Sequence, residues 1–214
     1  MDRKFKLVIF DLDGTLIDAY RAVSQSMNHA LRTCGFPAVD DETIKRNVGW
    51  GDRHLLERFV GRKHRDRALA VYRAHHRESL KTGSKLLPGA RRILDFLKKE
   101  KYRLAVASNR PTKFSLIALR TLDIRRYFDY VLCADKVARP KPAGDILIAI
   151  LARFRLKPGA ALYVGDMMID VQTGKRARVK TVAVTTGSCT AAELRRLKPL
   201  GVIPRVDEIR KFLI

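Results

Sequence analysis

The sequence has little of what marks a secreted, membrane-spanning or metal-stapled chain. Its cysteines are only Cys34, Cys133 and Cys189 in 214 residues, an odd number spaced far apart. They offer neither a paired disulfide framework nor zinc-ligand spacing, and are expected to be reduced. Long hydrophobic runs are also missing. The apolar stretches are strand-sized, and the opening MDRKFKLVIFD meets an acid before signal-peptide or membrane length is reached. A cytoplasmic chain with no membrane span is expected. Acids are scarce as well: 22 Asp and Glu stand against 44 Lys and Arg, a net charge of +22. A field of that sign attracts anions. The basic residues are spread along the chain with acids among them, so the excess alone does not separate nucleic acid, an acidic surface and a phosphorylated metabolite as partners.

What is present is enough apolar content, 46%, for one substantial core and a smaller second lobe. Five short, nearly continuous apolar runs read as strands covered on both faces: FKLVIF (5–10), YRLAVAS (102–108), YVLCA (130–134), ALYVG (161–165) and KTVAVTT (180–186). Helical patterns lie between them, such as GARRILDFLKKE, with Ile93, Leu94, Phe96 and Leu97 on one stripe, and DILIAILARF before a KPG stop. This alternation predicts an α/β fold built on a doubly wound, parallel, Rossmann-like sheet. From about Ala19 to Gly83 the rhythm breaks, and only helical patterns appear, including one face of Val23, Met27, Ala30, Leu31 and Cys34 and another of Leu55, Leu56, Phe59 and Val60. The interval is too long for one crossover. A small α-helical domain at 19–83, inserted into a core of 1–18 and 84–214, is expected.

The polar residues at the ends of the apolar runs carry the functional signal. Asp11 and Asp13 follow the first run and, being two apart in an extended segment, point to one side, with Gly14 turning the chain behind them. Taken alone, D-x-D-G also fits a plain turn or a calcium-loop fragment, although Leu12, Thr15 to Ile17 and Ala22 occupy most of the positions where an EF-hand needs oxygen ligands. Asp166 ends the ALYVG run and Asp170 lies one helical turn further on. Carboxylates from two strand ends meeting in one cleft suit a hard cation such as magnesium. A helix cap remains open for Asp166, and a capping or supporting role for Asp170. Ser108 and Asn109 end the second run, and Lys141 sits between Pro140 and Pro142 after the third.

In order, Asp-x-Asp-Gly-Thr, Ser108, Lys141 and Gly-Asp-x-x-x-Asp each close a separate apolar run. This arrangement resembles the haloacid dehalogenase superfamily, and within it the phosphatases with a helical cap inserted after the first motif, most of all the phosphoglycolate phosphatase group. The resemblance covers essentially the whole chain. It implies Asp11 as the nucleophile, Asp13 as general acid and then base, Ser108 as a holder of the transferred phosphoryl group and Lys141 as a neutralising cation. It also implies Asp11, the Asp13 carbonyl and Asp166 around Mg2+, with Asp170 as a further candidate ligand. Asp13 favours a phosphatase over a dehalogenase, because an alcohol needs a proton donor and a halide does not. One departure is KPAG, where many relatives have K-P-x-P.

RNVGWGDRHLL (46–56) resembles the specificity loop of such caps. Gly49 and Gly51 would let backbone approach the ligand beside Trp50, and Arg46 and Arg53 would read a second anionic group, while a hydroxyl and nearby backbone N–H groups at Ser108 and Asn109 could hold a phosphate oxygen. A turn with a packed tryptophan is the alternative. His54, His64, His75 and His76 are expected to be solvated. The expected function is hydrolysis of a small phosphorylated metabolite through an aspartyl-phosphate, by a monomer or homodimer. The alternatives are a phosphomutase of the β-phosphoglucomutase type and a non-catalytic nucleic-acid-binding protein on the same fold.

Overall fold

The computed structural model describes residues 4–213. Its centre is a six-stranded, wholly parallel sheet of β1 (Leu7–Phe10), β4 (Arg103–Ser108), β5 (Tyr130–Cys133), β6 (Ala161–Gly165), β7 (Lys180–Val184) and β8 (Gly201–Ile203), in the order β5-β4-β1-β6-β7-β8. The five expected strands are there, and β8 is an addition at one edge.

Why these runs are unbroken in apolar character follows from how they alternate. Val8, Phe10, Leu104, Val106, Leu162 and Val164 face one core, whereas Leu7, Ile9, Ala105, Ala107, Ala161 and Tyr163 face another. The first core is closed by α4 (Ala90–Lys99) through Ile93, Leu94 and Leu97, and by α5 (Thr112–Thr121) through Phe114, Ala118 and Leu119. The second is closed by α6 (Asp145–Phe154) through Ile146, Leu147, Ile150 and Leu151. A smaller group of Val171 from α7 (Met168–Arg176), Ala183 and Leu194 from α8 (Ala191–Arg196) fills the β7 end. Phe96 is only half-buried and carries the Arg210 guanidinium 4.2 Å from its ring centre.

The order in which strands are added reverses at β1, which pairs with β4 on one side and β6 on the other. Ligands of open α/β sheets bind beyond the strand carboxyl ends at such a reversal. Asp11, Ser108 and Asp166 stand at or just beyond the ends of these three strands.

The interval between β1 and α4 holds α1 (Tyr20–Thr33), α2 (Asp41–Asn47) and the long α3 (Asp52–Gly83), which is interrupted at Gly61, where φ is +71°. These helices share their own core of Val23, Met27, Ala30, Leu31, Ile44, Leu55, Leu56, Val60, Leu69 and Tyr72, with Cys34 and Phe59 half-buried against it. Both passages of the chain to this helical unit run through a two-stranded antiparallel ribbon of β2 (Ile17–Asp18) and β3 (Lys85–Leu86), which sequence patterning did not reveal. No described helix is long and apolar enough to cross a membrane. Cys34, Cys133 and Cys189 are free thiols.

Candidate active site

Asp11 continues the β1 ladder by one residue, its N–H donating to Val164 O at 2.9 Å, so its backbone is fixed to β6 before the chain turns. The turn itself is closed by the N–H groups of Thr15, Leu16 and Ile17 on Leu12 O. Gly14 takes φ +77°, and a Cβ there would lie 2.4 Å from Asp166 Oδ2. Gly187 crowds the same oxygen from the far side, where a Cβ would come within 1.6 Å. The two glycines therefore make room for the second carboxylate. Thr15 Oγ1 donates to Asp166 Oδ1 at 3.1 Å, and the Ser188 N–H reaches Oδ2 at 3.4 Å.

Asp11, Asp166 and Asp170 bring one carboxylate oxygen each within 4.8 Å of one another, all three residues buried. Lys141 Nζ donates to Asp11 Oδ1 and to Asp170 Oδ1, both at 2.8 Å. Tyr163 OH donates to the same Asp170 oxygen at 2.7 Å, and Asp170 Oδ2 accepts the Met167 N–H at 2.9 Å, where it caps α7. Supporting and capping roles of Asp170 are thus both realised. Burial pushes the Asp11 carboxyl up to about 7, with Lys141 opposing and Asp170 adding to the rise. Burial, then Asp170 and Asp11, push Asp166 well above its ordinary range. Burial alone would lower Lys141, but Asp11 and Asp170 outweigh it and hold the ammonium charged.

Fully ionised, three carboxylates against one ammonium would carry two negative charges in a buried pocket, a balance that a divalent cation would offset. The donors are hard oxygens, as magnesium requires, and the space that Gly14 and Gly187 leave around Asp166 keeps its oxygens uncrowded. The residues fit such an ion.

Asp13 lies outside that cluster. Its Oδ1 accepts from Arg110 Nη2 at 2.5 Å. Burial raises the Asp13 carboxyl, against Arg110 and Lys141, which lower it. Ser108 Oγ accepts the Arg110 N–H at 3.1 Å, so the hydroxyl proton is left to donate elsewhere. Asn109 is a brace. Its Oδ1 accepts Lys141 N–H at 2.9 Å, and its Nδ2 donates to Lys141 O and Gly49 O, each at 3.0 Å.

A family model described as haloacid dehalogenase-like hydrolase matches residues 8–184, which takes in all of these residues except Gly187 and Ser188. The chain belongs to that family. It is 31% identical to a phosphoglycolate phosphatase of Aquifex aeolicus over 85% of each chain. It is also 31% identical to one of Mesorhizobium japonicum, over 95% of this chain and 92% of that one. A solved structure named as a predicted phosphoglycolate phosphatase from Haemophilus somnus superposes with a TM-score of 0.93 at 26% identity, covering 98% of both chains. A HAD-superfamily hydrolase of subfamily IA from Geobacter sulfurreducens gives 0.76 at 27%, covering 99% of this chain and 98% of that one.

The helical side of this hydrolase departs from expectation in several places. Gly49 and Gly51 do line the cleft, at φ +110° and +92°. What presses on Gly49 is protein: a Cβ there would meet Met167 Sδ at 2.1 Å. Trp50 is 42% exposed and leans on His54, neither entering the cleft nor packing in a core. Arg53 turns to Asp66 at 3.0 Å and Arg46 to Glu42 at 3.2 Å, both on the surface, because those acids are closer at hand than the cleft. His76, expected in solvent, is 2% exposed. Its ring stacks on Tyr72 and meets Phe114 edge-on, joining α3 to α5, while its Nδ1 lies 3.0 Å from Ser26 Oγ. Burial, and then Arg110, push it down to about 3, so it is neutral. Arg110 and Tyr163 were not singled out from sequence, and Thr15 stood there only as the last residue of the first motif. Of Arg110 and Tyr163, only Arg110 left a signal there, as the cation immediately following Ser108 and Asn109.

Proposed function

We propose that the protein is a magnesium-dependent phosphomonoesterase that hydrolyses a small phosphorylated metabolite, of the phosphoglycolate phosphatase kind, through an aspartyl-phosphate. The observation that carries this reading is the junction of Asp11, Lys141, Asp166 and Asp170 in one buried cluster at the reversal point of the sheet. The names of the relatives support it.

In this reading an Asp11 oxygen attacks phosphorus while the bond from phosphorus to the alcohol oxygen breaks. Asp13, its carboxyl raised by burial, gives a proton to the departing oxygen and then takes one from water. That water attacks the phosphorus of the aspartyl-phosphate, which releases inorganic phosphate and restores Asp11. Ser108 donates its free hydroxyl proton to a phosphoryl oxygen, and Lys141 offsets the repulsion between the Asp11 carboxylate and the incoming dianion. Asp11, Asp166 and the Asp13 carbonyl would hold Mg2+, with Asp170 beside them, and the ion would supply further charge neutralisation at the transferring group. The helical unit, as a cap over the cleft, excludes water and bulky esters.

The test is phosphate release from a panel of esters, with magnesium or with chelator, repeated on Asp11→Asn. Mg2+-dependent release that Asp11→Asn abolishes is expected. Inertness toward every ester, or an active Asp11→Asn, would overturn the reading. A requirement for a bisphosphate activator, with an isomerised phosphoester as product, would indicate a mutase.

A further inference from the structure

The cleft holds one cation that the hydrolytic cluster does not use fully. The Arg110 side chain is 7% exposed and ion-paired to Asp13 through Nη2 alone, while Nη1 is buried with no hydrogen-bond partner. A buried donor left unpaired costs about 1–3 kcal/mol, more when it is charged. Among the described residues nothing relieves it. The other carboxylates lining the cleft are committed: Asp11 to Lys141 at 2.8 Å, and Asp52 to Arg73 at 2.7 Å. The neighbouring His76 is neutral and Tyr72 is a phenol held protonated by burial. The walls also carry apolar side chains, from Val23, Val48, Leu55 and Phe114, beside the uncharged Tyr20, Ser108 and Asn109.

Resting on the phosphatase reading above, we propose that Arg110 is the specificity residue, its Nη1 receiving a carboxylate on the substrate. Guanidinium is suited to this, since its planar fork can serve two carboxylates at once. Position sets the distance. The phosphoryl group sits against Asp11, Lys141 and Ser108, and the ester oxygen faces Asp13, which donates to it. Arg110 is bonded to that same Asp13, so the carboxylate it receives lies close to the ester oxygen. The substrate class is then a phosphate ester that carries a carboxylate close to its ester oxygen, as 2-phosphoglycolate does. One guanidinium then spans the proton donor and the substrate's tail. The role expected of Arg46 and Arg53 passes to a residue on the core side of the cleft.

The experiment compares 2-phosphoglycolate with ethyl phosphate, its counterpart of equal length lacking the carboxylate, at saturating Mg2+ in the wild type, Arg110→Gln and Arg110→Lys. The wild type should prefer phosphoglycolate. Losing a charge-assisted hydrogen bond in a buried site predicts that Arg110→Gln lowers kcat/KM for phosphoglycolate by about 100-fold more than for ethyl phosphate, with a rise in KM. Arg110→Lys keeps the buried charge, reads the same ratio if the glutamine variant does not fold, and should retain part of the preference. Calorimetric titration with 3-phosphonopropionate and with propylphosphonate reads the same discrimination in variants too slow to assay. Equal losses on both esters would make Arg110 merely an anchor for Asp13 and overturn the proposal, as would a wild type indifferent to the carboxylate. A wild type inert toward all esters is a different result, and it overturns the phosphatase reading itself.

Discussion

Asp170 holds Lys141 with one oxygen and its own helix with the other: Oδ1 accepts Nζ at 2.8 Å, and Oδ2 accepts the Met167 N–H at 2.9 Å. The Lys141 ammonium is therefore positioned by the first turn of α7 as well as by its own loop. Tyr163 adds a third contact, donating to the same Oδ1 at 2.7 Å.

Those contacts differ in kind, and the variants should differ accordingly. Tyr163→Phe removes one donor from the Asp170 carboxylate, a charge-assisted hydrogen bond of about 1.5 kcal/mol at the low end, and should lower kcat/KM about tenfold at most. Asp170→Asn removes an anion that orients Lys141 and adds to the charge facing the metal, and should cost about 10- to 100-fold in activity or Mg2+ affinity. Steady-state kinetics across a magnesium titration separates the two. Equal effects, or a silent Asp170→Asn, would contradict this arrangement.

Gly187→Ala tests the proposed metal pocket without touching a proposed ligand. Its Cβ would lie 1.6 Å from Asp166 Oδ2, so the carboxylate must swing away. Gly187 is not among the positive-φ glycines, so crowding, not backbone strain, is the cause. The concentration of Mg2+ for half-maximal activity should rise about tenfold or more, on the scale of a displaced ligand. An unchanged magnesium requirement would remove Asp166 from the set.

Gly49→Ala probes how the helical unit meets the core. At φ +110° an added Cβ is strained, and it would strike Met167 Sδ at 2.1 Å, prying the turn from the Asn109 amide that holds Gly49 O at 3.0 Å. We expect a loss of about tenfold or more in kcat/KM, with little change in Tm, since the cores of both units are untouched. A large drop in Tm with normal kinetics would show the contact to be structural only.

His76 makes stability depend on pH in a defined window. Burial, helped by Arg110, lowers it from 6.5 to about 3 in the folded protein. Between those values the unfolded chain binds a proton that the folded chain does not, so stability is full above about pH 6.5 and falls as pH drops toward about 3. The steepest loss from this one group is about 1.4 kcal/mol per pH unit. Urea unfolding between pH 7 and 4 should show a shallower decline for His76→Gln than for the wild type. Parallel curves would refute the assignment.

The features legible in the sequence share a physical origin. Strands buried on both faces have no polar positions, so β1, β4, β5, β6 and β7 stood out, and any polar residue closing one was conspicuous. Asp11, Ser108 and Asp166 were found in that way. What escaped notice lacked such contrast. β8 is three residues long and β2 and β3 two each, too short for periodicity to register. Tyr163 is concealed by its own strand, because its ring belongs to the core and only its hydroxyl reaches Lys141 and Asp170. Arg110 and His76 have side chains that composition assigns to solvent, and only three-dimensional packing brings them inside. Arg53 and Trp50 erred the opposite way, since a motif's position along the chain does not say which side of a helix start faces the cleft.

The ribbon of β2 and β3 gives the inserted helices a single narrow stalk. Because the chain leaves and re-enters the sheet at adjacent points, everything between Asp18 and Lys85 can lengthen, shorten or be exchanged without moving a strand out of register. The helical unit and the sheet that carries Asp11, Ser108 and Asp166 are thereby separately replaceable parts, and a graft made at these two crossings should set foreign helices over an unaltered sheet.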